Sequence, residues 1–440
     1  MKRLLILFSV LCLFITGCAS PSTEVPTDEI GQSKETTVID DEEKGSEDMP
    51  ASDKYTPMNH TDFKAMWLSQ FDLESIYSIN GQQTAKSVFK TKIQQVLDLV
   101  KKNGFNTVIL QVRPYADSFY PSEYYPISKY VAGSYGNKTS YDPLPIIIEY
   151  AHSIDLSIHA WINPMRGMTE EEVKAIDESY LIKQWYLSEA SEDSPISIVN
   201  DRLYLDPAYT EARELIINGV KEIIDNYSFD GVHMDDYFYP TTSADFDSAS
   251  YKQYTANGGT ESLKQFRYDN VNKLVSGIYS AVKAKNPELL FGISPEGNIS
   301  NVTSKAFADV YTWMSEDGYI DYICPQLYYG LEHESLPFDK TLKKWESLIK
   351  NKNVRLIAGM TFGKALSKTD QWAGSGKNEW AEHNDVLKRC LESTRSVKKL
   401  YGISVFCFQY FYNPASFVEV SGTKTERDNF VPLLKDITWN

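Results

Sequence analysis

Apolar and polar positions recur along the chain with two different periods. In stretches such as residues 92–104, 211–227 and 384–400 the apolar residues return every three or four positions, which predicts amphipathic helices. Shorter stretches rich in β-branched and aromatic residues lie between the helical ones and predict strands. The eight predicted strands are residues 65–71, 107–113, 157–163, 231–236, 290–296, 322–328, 355–361 and 403–410.

Regular alternation of strand and helix predicts a parallel sheet with helices packed against it. An open doubly wound sheet and a closed (β/α)8 TIM barrel both satisfy that pattern. No glycine-rich phosphate loop follows the first strand, which argues against a dinucleotide-binding open sheet. Eight strand–helix units in one chain are the signature of a TIM barrel. The sequence therefore predicts an α/β fold of that type.

The period of two within each strand predicts which side chains face the barrel axis. In the fourth strand Val232 and Met234 must meet the helices, so His233 and Asp235 should point inward. Asp235 comes last, at the C-terminal mouth where barrel active sites lie, whereas Asp236 has the opposite parity and should begin the loop. The inward polar or aromatic residues predicted on other strands are Gln111, Arg113, His159, Trp161, Asn163, Ser294, Glu296, Tyr322, Gln326 and Tyr328.

Carboxylates beside aromatic and amide side chains indicate glycoside hydrolysis. In that reaction one carboxylic acid protonates the leaving oxygen, while a second carboxylate attacks, activates water or stabilises a cationic intermediate. Asp235, Asp236 and Glu296 are the candidate catalytic residues. The candidate sugar-binding residues are Trp161, Tyr237, Tyr328 and Tyr115 for ring stacking, and Asn163, Gln326 and Arg113 for hydroxyl or acetamido groups.

Composition excludes several other functions. The net charge of −16 argues against a nucleic-acid partner. No histidine- or cysteine-rich motif has metal-ligand spacing, so we expect neither a metal nor another cofactor. Cys324, Cys390 and Cys407 show no CxxC spacing, and two of them fall in predicted strands, which favours buried free thiols. Nothing indicates an obligate protein partner.

The first residues predict export to the cell surface. Lys2 and Arg3 precede an apolar run that ends at Gly17, which is typical of a signal peptide and too short to span a bilayer. The following ITGC resembles a bacterial lipobox, which implies cleavage before Cys18 and a lipid on its sulfur; an ordinary signal peptide with an incidental cysteine is the alternative. We therefore predict a signal peptide at 1–17, a disordered tether at 18–56 and a catalytic domain at 57–440, anchored to the outer face of the cell membrane.

Several motifs resemble the bacterial glycosyl-hydrolase-like family 10, whose members are TIM-barrel proteins often found as envelope lipoproteins. The motifs, at residues 111–122, 141–144, 159–167, 205–213, 229–240, 292–295 and 322–330, occur in family order within residues 62–415. The resemblance implies a glycosidase for a polysaccharide, with aminosugar polymers of the cell wall as candidates. It implies Asp235 and Asp236 as the catalytic pair. The substrate-binding residues that it implies are Arg113, Asp117, Trp161, Asn163 and Gln326.

Glu296 departs from the family pattern, which usually has an aromatic residue after GISP (292–295). Its predicted position on the strand next to Asp235 gives it a candidate catalytic role, although it cannot be the general acid of the family. The departure also leaves open a second function, a carbohydrate-binding lipoprotein that has lost hydrolysis. A third alternative is substrate-assisted attack by an acetamido group, with Asp235 positioning that group.

Overall fold

Eight parallel strands close into a barrel in the computed structural model, which describes residues 55–188 and 193–439. Neighbours around the barrel are neighbours in the chain, and the first strand also pairs with the last, Phe63 opposite Gly402. The predicted TIM barrel is thus confirmed. The strands are β1 Phe63–Leu68, β2 Thr107–Arg113, β3 Ser157–Ile162, β4 Gly231–Met234, β5 Leu290–Ile293, β6 Tyr322–Ile323, β7 Arg355–Thr361 and β8 Leu400–Phe406.

Helices follow each strand in turn along the chain. The principal helices are α1 Lys86–Lys102, α2 Pro143–Ser153, α3 Thr210–Asn226, α4 Leu263–Lys285, α5 Val310–Trp313, α6 Phe338–Leu348, α7 Val386–Ser393 and α8 Lys424–Asp436. Shorter helices occupy the connections, at Gln70–Tyr77, Lys129–Ala132, Glu170–Lys174, Leu181–Leu187, Ser248–Ala256, Ile299–Ser304, Gly363–Ser367 and Glu379–Glu382.

The helix α1 shows why these segments are helical. Its buried residues recur every three or four positions, so one stripe faces the strands; they are Phe89, Ile93, Val96, Leu97 and Val100. The helix ends at Lys102, and Gly104 follows with a φ of 90°, a conformation that glycine adopts without strain. The helix is thus terminated by Asn103 and Gly104, an Asn-Gly pair typical of a helix C-terminus.

Two apolar layers pack against the barrel strands. The larger layer lies between strands and helices and contains the residues predicted to face outward, including Val108, Leu110, Val232 and Met234. The smaller layer fills the barrel. It contains Phe63, Ala65, Trp67, Ile109, Trp161, Leu290, Tyr322, Cys324, Ile357 and Cys407. The predicted alternation in β4 is therefore confirmed, and all three described cysteines are buried free thiols, as predicted.

Several predicted strands were too long at their C-terminal ends. The first strand stops at Leu68 because Ser69 caps the helix Gln70–Tyr77. The Ser69 side chain accepts a hydrogen bond from the backbone N–H of Asp72, and the Asp72 carboxylate accepts one from the N–H of Ser69. The fifth and sixth strands end before Pro295 and Pro325, which lack the N–H needed to continue the ladder. The residues beyond each strand end form the loops of the C-terminal mouth.

A small antiparallel sheet is inserted at this mouth between β3 and α3. Its strands are Arg166–Thr169, Ile196–Val199 and Arg202–Leu205, with Arg202–Leu205 in the middle. A second insertion, between β1 and α1, is the hairpin Ser78–Ile79 and Gln82–Gln83. These insertions give the mouth a wall that strand periodicity alone does not predict.

The opposite end of the barrel is closed by the residues just before β1. Asp230 Oδ1 accepts hydrogen bonds from the Tyr55 hydroxyl and the Met58 N–H, both at 2.5 Å. Its other oxygen accepts from the Ile158 N–H at 2.6 Å and lies 3.0 Å from His152 Nε2. Burial opposes ionisation of Asp230, but these partners together lower its pKa. The folded domain thus includes Tyr55, two residues before the predicted boundary at residue 57. Residues 1–54 lie outside the described residues, and they contain the predicted signal peptide, Cys18 and most of the predicted tether.

Candidate active site

Asp235 lies at the C-terminal mouth, directly after β4. The indole Nε1 of Trp161, on β3, donates a hydrogen bond to its Oδ2 at 3.0 Å, and the Tyr237 N–H donates to Oδ1 at 3.4 Å. Asp235 as a whole is only 2% exposed. Burial, reinforced by the charge of Asp236, raises the pKa of Asp235 well above its usual range, although the Trp161 bond opposes this shift.

Asp236 lies at the same mouth rather than turning away from it. Its side chain is hydrogen-bonded to Gln326 and feels the charge of Glu296. Burial raises the pKa of Asp236 to about 6, with Gln326 lowering it and Glu296 raising it. The prediction that only Asp235 would face the mouth is therefore wrong. The alternation of β4 ends at Met234. Asp235 still points inward, toward Trp161, but the parity rule does not extend to Asp236.

Glu296 and Gln326 occupy the adjacent strand ends, as their parity predicts. The two residues pair through an isolated β-bridge, and the Gln326 side chain also donates to the Ser294 carbonyl at 3.1 Å. The amide of Asn301 donates to Glu296 Oε1 at 2.6 Å. Asp235, Asp236 and Glu296 thus form a run of three acidic side chains across the ends of β4 and β5, in which Asp236 interacts with both of the others.

Aromatic residues line the barrel beneath and beside these acids. The ring of Trp161 packs edge-on against Trp67, with centroids 4.6 Å apart. Tyr328 is partly exposed and stacks against Phe406 at 6.1 Å, while the Tyr237 ring is 39% exposed. Flat partly exposed rings next to carboxyl groups suit the apolar faces of sugars.

Asn163 is a positioning residue rather than an open binding group. Its Oδ1 accepts from Gln111 Nε2 at 3.1 Å, and its Nδ2 donates to the Pro114 carbonyl at 2.7 Å. Gln70 extends the network: its N–H donates to Gln111 Oε1 at 3.0 Å, and its Nε2 donates to the Tyr115 hydroxyl at 3.3 Å. The network connects the ends of β1, β2 and β3 and orients Tyr115 at the mouth.

Two predicted substrate-binding residues lie elsewhere. Arg113 points into the helical layer, where its guanidinium packs over the Tyr125 ring at 4.7 Å and approaches the Ile216 carbonyl of α3 at 3.5 Å. The prediction that it faces the mouth is wrong because the β2–β3 register shifts between Gln111 and Arg113, which reverses the parity.

Asp117 is fully buried within the loop after β2. It accepts hydrogen bonds from the Tyr115 N–H and the Tyr135 hydroxyl, both at 2.9 Å. Burial raises the pKa of Asp117 despite these donors. The structure therefore gives Asp117 the task of holding the loop that carries Tyr115, and does not expose it to a ligand.

Sequence reasoning missed Arg166 and Asp72. Arg166 begins the inserted sheet, and its guanidinium lies over Tyr237 at 4.3 Å and over Tyr115 at 4.9 Å. Its only sequence signal was its place in the motif at 159–167. Asp72 is buried after β1 and accepts from the Gln409 N–H at 2.6 Å; burial raises its pKa to about 6. It connects the ends of β1 and β8, which are far apart in sequence.

The two interior histidines, His159 and His233, have structural roles. His159 Nδ1 and His233 Nδ1 lie 3.2 Å and 2.7 Å from the Tyr322 hydroxyl. Burial lowers the pKa of His159 to about 4 and that of His233 well below its usual value, so both are neutral at physiological pH. Within residues 55–188 and 193–439, no three His, Cys, Asp or Glu side chains are grouped to hold a metal, and no helix has the length and hydropathy needed to cross a membrane.

Barrel topology and a mouth lined with acidic and aromatic groups define the class of glycoside-hydrolase-like TIM barrels. The model of the Glycosyl hydrolase-like 10 family matches residues 62–374. The chain belongs to that family.

Similar proteins agree with this assignment. The chain is 34% identical to "Glycosyl hydrolase YngK" of Bacillus subtilis over 331 residues, covering 70% of this chain and 62% of that protein. It is 28% identical to "Glycosyl hydrolase DigH" of Escherichia coli K12 over 396 residues, covering 83% of this chain and 87% of that protein. The PgaB (BpsB) glycoside hydrolase domain of Bordetella bronchiseptica shares the fold, with a TM-score of 0.52 at 11% identity, over 84% of this chain and 99% of that domain.

Proposed function

We propose that the protein hydrolyses glycosidic bonds in a polysaccharide of the cell envelope, with aminosugar polymers as the first substrates to test. The observation that carries this proposal is the pair Asp235 and Asp236, adjacent acids at the barrel mouth that have different hydrogen-bond partners and whose pKa values are raised by burial. Paired acids in different surroundings commonly divide the roles of acid and base.

The division of roles follows from the surroundings of each group. Burial raises the pKa of Asp235 well above its usual range, which favours the protonated form that a general acid needs. Asp236, with a pKa of about 6, is mostly ionised at neutral pH and serves as nucleophile, base or electrostatic stabiliser. Burial keeps the pKa of Asp236 raised, and the charge of Glu296 adds to that effect.

The decisive measurement is release of reducing ends from purified envelope polysaccharide, with the released fragments identified by mass spectrometry. We expect Asp235→Asn to fold normally and to release no sugar, because the amide cannot donate a carboxylic proton. Asp428→Asn is the matched control, since Asp428 is an exposed residue of α8 paired with Lys424 at 2.7 Å. Equal release by wild type and Asp235→Asn would refute the catalytic assignment.

A carbohydrate-binding protein without turnover is the second candidate. It is favoured by one observation: both oxygens of the nearly buried Asp235 already accept hydrogen bonds from the protein. Against it, no Lys, Arg or His among the described residues forms an ion pair with Asp235, so no cation of the protein holds the carboxyl group in its ionised form. Binding of envelope glycans without release of any fragment from any bound glycan would establish this second function.

The proposed location is the outer face of the cell membrane, through a lipid on Cys18. Its support is the resemblance of residues 15–18 to a lipobox, followed by a polar segment. Metabolic labelling with a palmitate analogue tests it: wild type should incorporate the label and sediment with membranes, whereas Cys18→Ala should do neither. Release of an unlabelled wild-type protein into the medium would indicate an ordinary signal peptide instead.

A further inference from the structure

Arg166 places a positive charge beside the proposed catalytic acids. It begins the inserted sheet four residues after β3 ends, so its backbone lies at the mouth. Its guanidinium is held between aromatic rings, 4.3 Å from the centroid of Tyr237 and 4.9 Å from that of Tyr115. Tyr237 follows Asp235 by two residues and is 39% exposed, so the cation lies at the edge of an accessible surface.

The guanidinium lacks the partners that half-buried arginines normally have. Among residues 55–188 and 193–439 it forms no hydrogen bond or ion pair, and its Nε is buried without an acceptor. Arg267 shows the usual arrangement: its Nε and Nη2 donate to Asp247 at 2.7 Å and 2.6 Å. Since removing N–H donors from water without an acceptor is costly, the unused donors of Arg166 indicate an acceptor that comes from outside the protein.

The aromatic rings fix the orientation of this cation. Stacking on two rings restricts the guanidinium plane, and Tyr115 is itself held by the Gln70 amide and packed by Arg202 at 4.6 Å. The Arg202 Nη1 donates to the Gly167 carbonyl at 2.7 Å, so Arg202 has a structural partner and Arg166 does not. A rigid, unpaired guanidinium is preorganised for an anion with two coplanar oxygens.

The nearby acids do not satisfy Arg166. Its charge lowers the pKa values of Asp235 and Asp236, yet burial outweighs that effect for both. Burial therefore favours the protonated, uncharged form of Asp235.

We infer that Arg166 binds a carboxylate carried by the sugar next to the cleavage site, so that the preferred substrate is an acidic glycan. This inference rests on the proposed function, because it assigns the specificity of the same site. It makes Arg166 a specificity-determining residue, and it distinguishes the substrate from neutral aminosugar polymers.

Calorimetric binding in the Asp235→Asn background tests the inference without turnover. The probes are cell-wall glycan fragments with free sugar carboxylates, the same fragments after carbodiimide amidation, and the neutral hexamer of N-acetylglucosamine. We expect the carboxylated fragments to bind about tenfold or more tightly than the amidated ones. Adding Arg166→Gln should abolish that preference while leaving the affinity for amidated fragments unchanged, and Arg166→Lys should keep part of it.

The matched control is Arg355→Gln. Arg355 also stacks on a tyrosine, Tyr401 at 4.2 Å, but it begins β7 at the opposite end of the barrel. Its loss removes the same charge and should leave the preference intact. Equal binding of carboxylated and amidated fragments, or a preference that survives in Arg166→Gln, would overturn the inference while leaving the proposed function in place. Failure of the wild-type and Asp235→Asn proteins to bind any of the three glycans would overturn both.

Discussion

The Trp161 indole donates a hydrogen bond to the Asp235 carboxylate at 3.0 Å, joining the ends of β3 and β4. The bond fixes the carboxyl group, and it stabilises the ionised form against a burial effect that favours the protonated one. Trp161 in turn packs on Trp67, whose own Nε1 has no partner in the described chain. Trp161 and Trp67 are thus neighbouring rings of the same type, but only Trp161 donates a hydrogen bond to the carboxyl group of Asp235.

Trp161→Phe should change the pH dependence of the enzyme. Without the indole N–H the pKa of Asp235 rises further, because a bond to the charged form has been lost. A general acid works below its pKa, so the alkaline limb of kcat/KM should move to higher pH. We also expect kcat to fall by up to about a hundredfold, since the carboxyl group loses its orientation. In Trp67→Phe the alkaline limb should stay in place; movement of that limb in both variants would contradict the role of the hydrogen bond.

Gln326 and Glu296 should shift the acidic limb in opposite directions. Asp236 must be ionised to act as the second carboxylate, so activity should fall as the pH drops below about 6. Glu296→Gln removes a charge that raises the pKa of Asp236 and should move this limb to lower pH. Gln326→Leu removes a hydrogen bond to the carboxylate and should move it to higher pH. A pH–rate series on both variants decides the matter, and shifts of the same sign would remove Asp236 from the mechanism.

The barrel and the inward direction of Asp235 could be predicted from sequence because both depend on local periodicity. Val232 and Met234 must pack against the helices, so His233 and Asp235, which alternate with them along the chain, face the barrel interior. The sites where prediction failed depend on irregular backbone. A register shift turned Arg113 outward, and the end of β4 at Met234 freed Asp236 from the alternation.

Arg166 could not be recognised because its role depends on tertiary contacts. Its ring partners, Tyr115 and Tyr237, come from the loops after β2 and β4, and the arginine itself lies in an inserted sheet. No spacing in the sequence brings those three residues together. Asp72 is similar, because the backbone N–H that it binds, at Gln409, lies 337 residues away in the sequence.

Arg113 offers a direct test of the corrected geometry. It is 1% exposed and packs on Tyr125, so Arg113→Ala should reduce the free energy of unfolding by about 2–4 kcal/mol. Binding of glycans by the folded fraction should not change, because the side chain does not reach the mouth. Arg113→Met keeps most of the packing and should cost less. Urea unfolding combined with calorimetry separates the two effects, and a loss of affinity at unchanged stability would restore the earlier substrate-binding role.

Asp206 should make the stability of the protein fall between pH 4 and pH 7. It follows the strand Arg202–Leu205, is nearly fully buried, and accepts from the Ala208 N–H at 2.9 Å and the Ser250 hydroxyl at 3.0 Å. Burial raises its pKa to about 7, so between its unfolded pKa of 3.8 and about 7 the folded state holds a proton that the unfolded state has released. Stability from this group is therefore complete at low pH and decreases as the pH rises, by a few kcal/mol in all.

Asp206→Asn removes this titration while keeping a neutral group of the same shape. The Tm of the variant should match that of wild type near pH 4 and exceed it at pH 7 and above, because only the wild type must bury a charge. Scanning calorimetry from pH 4 to pH 8 measures the difference directly, with Asp428→Asn as the exposed control expected to follow wild type. Parallel Tm curves for wild type and Asp206→Asn would show that this carboxyl group titrates alike in the folded and unfolded states.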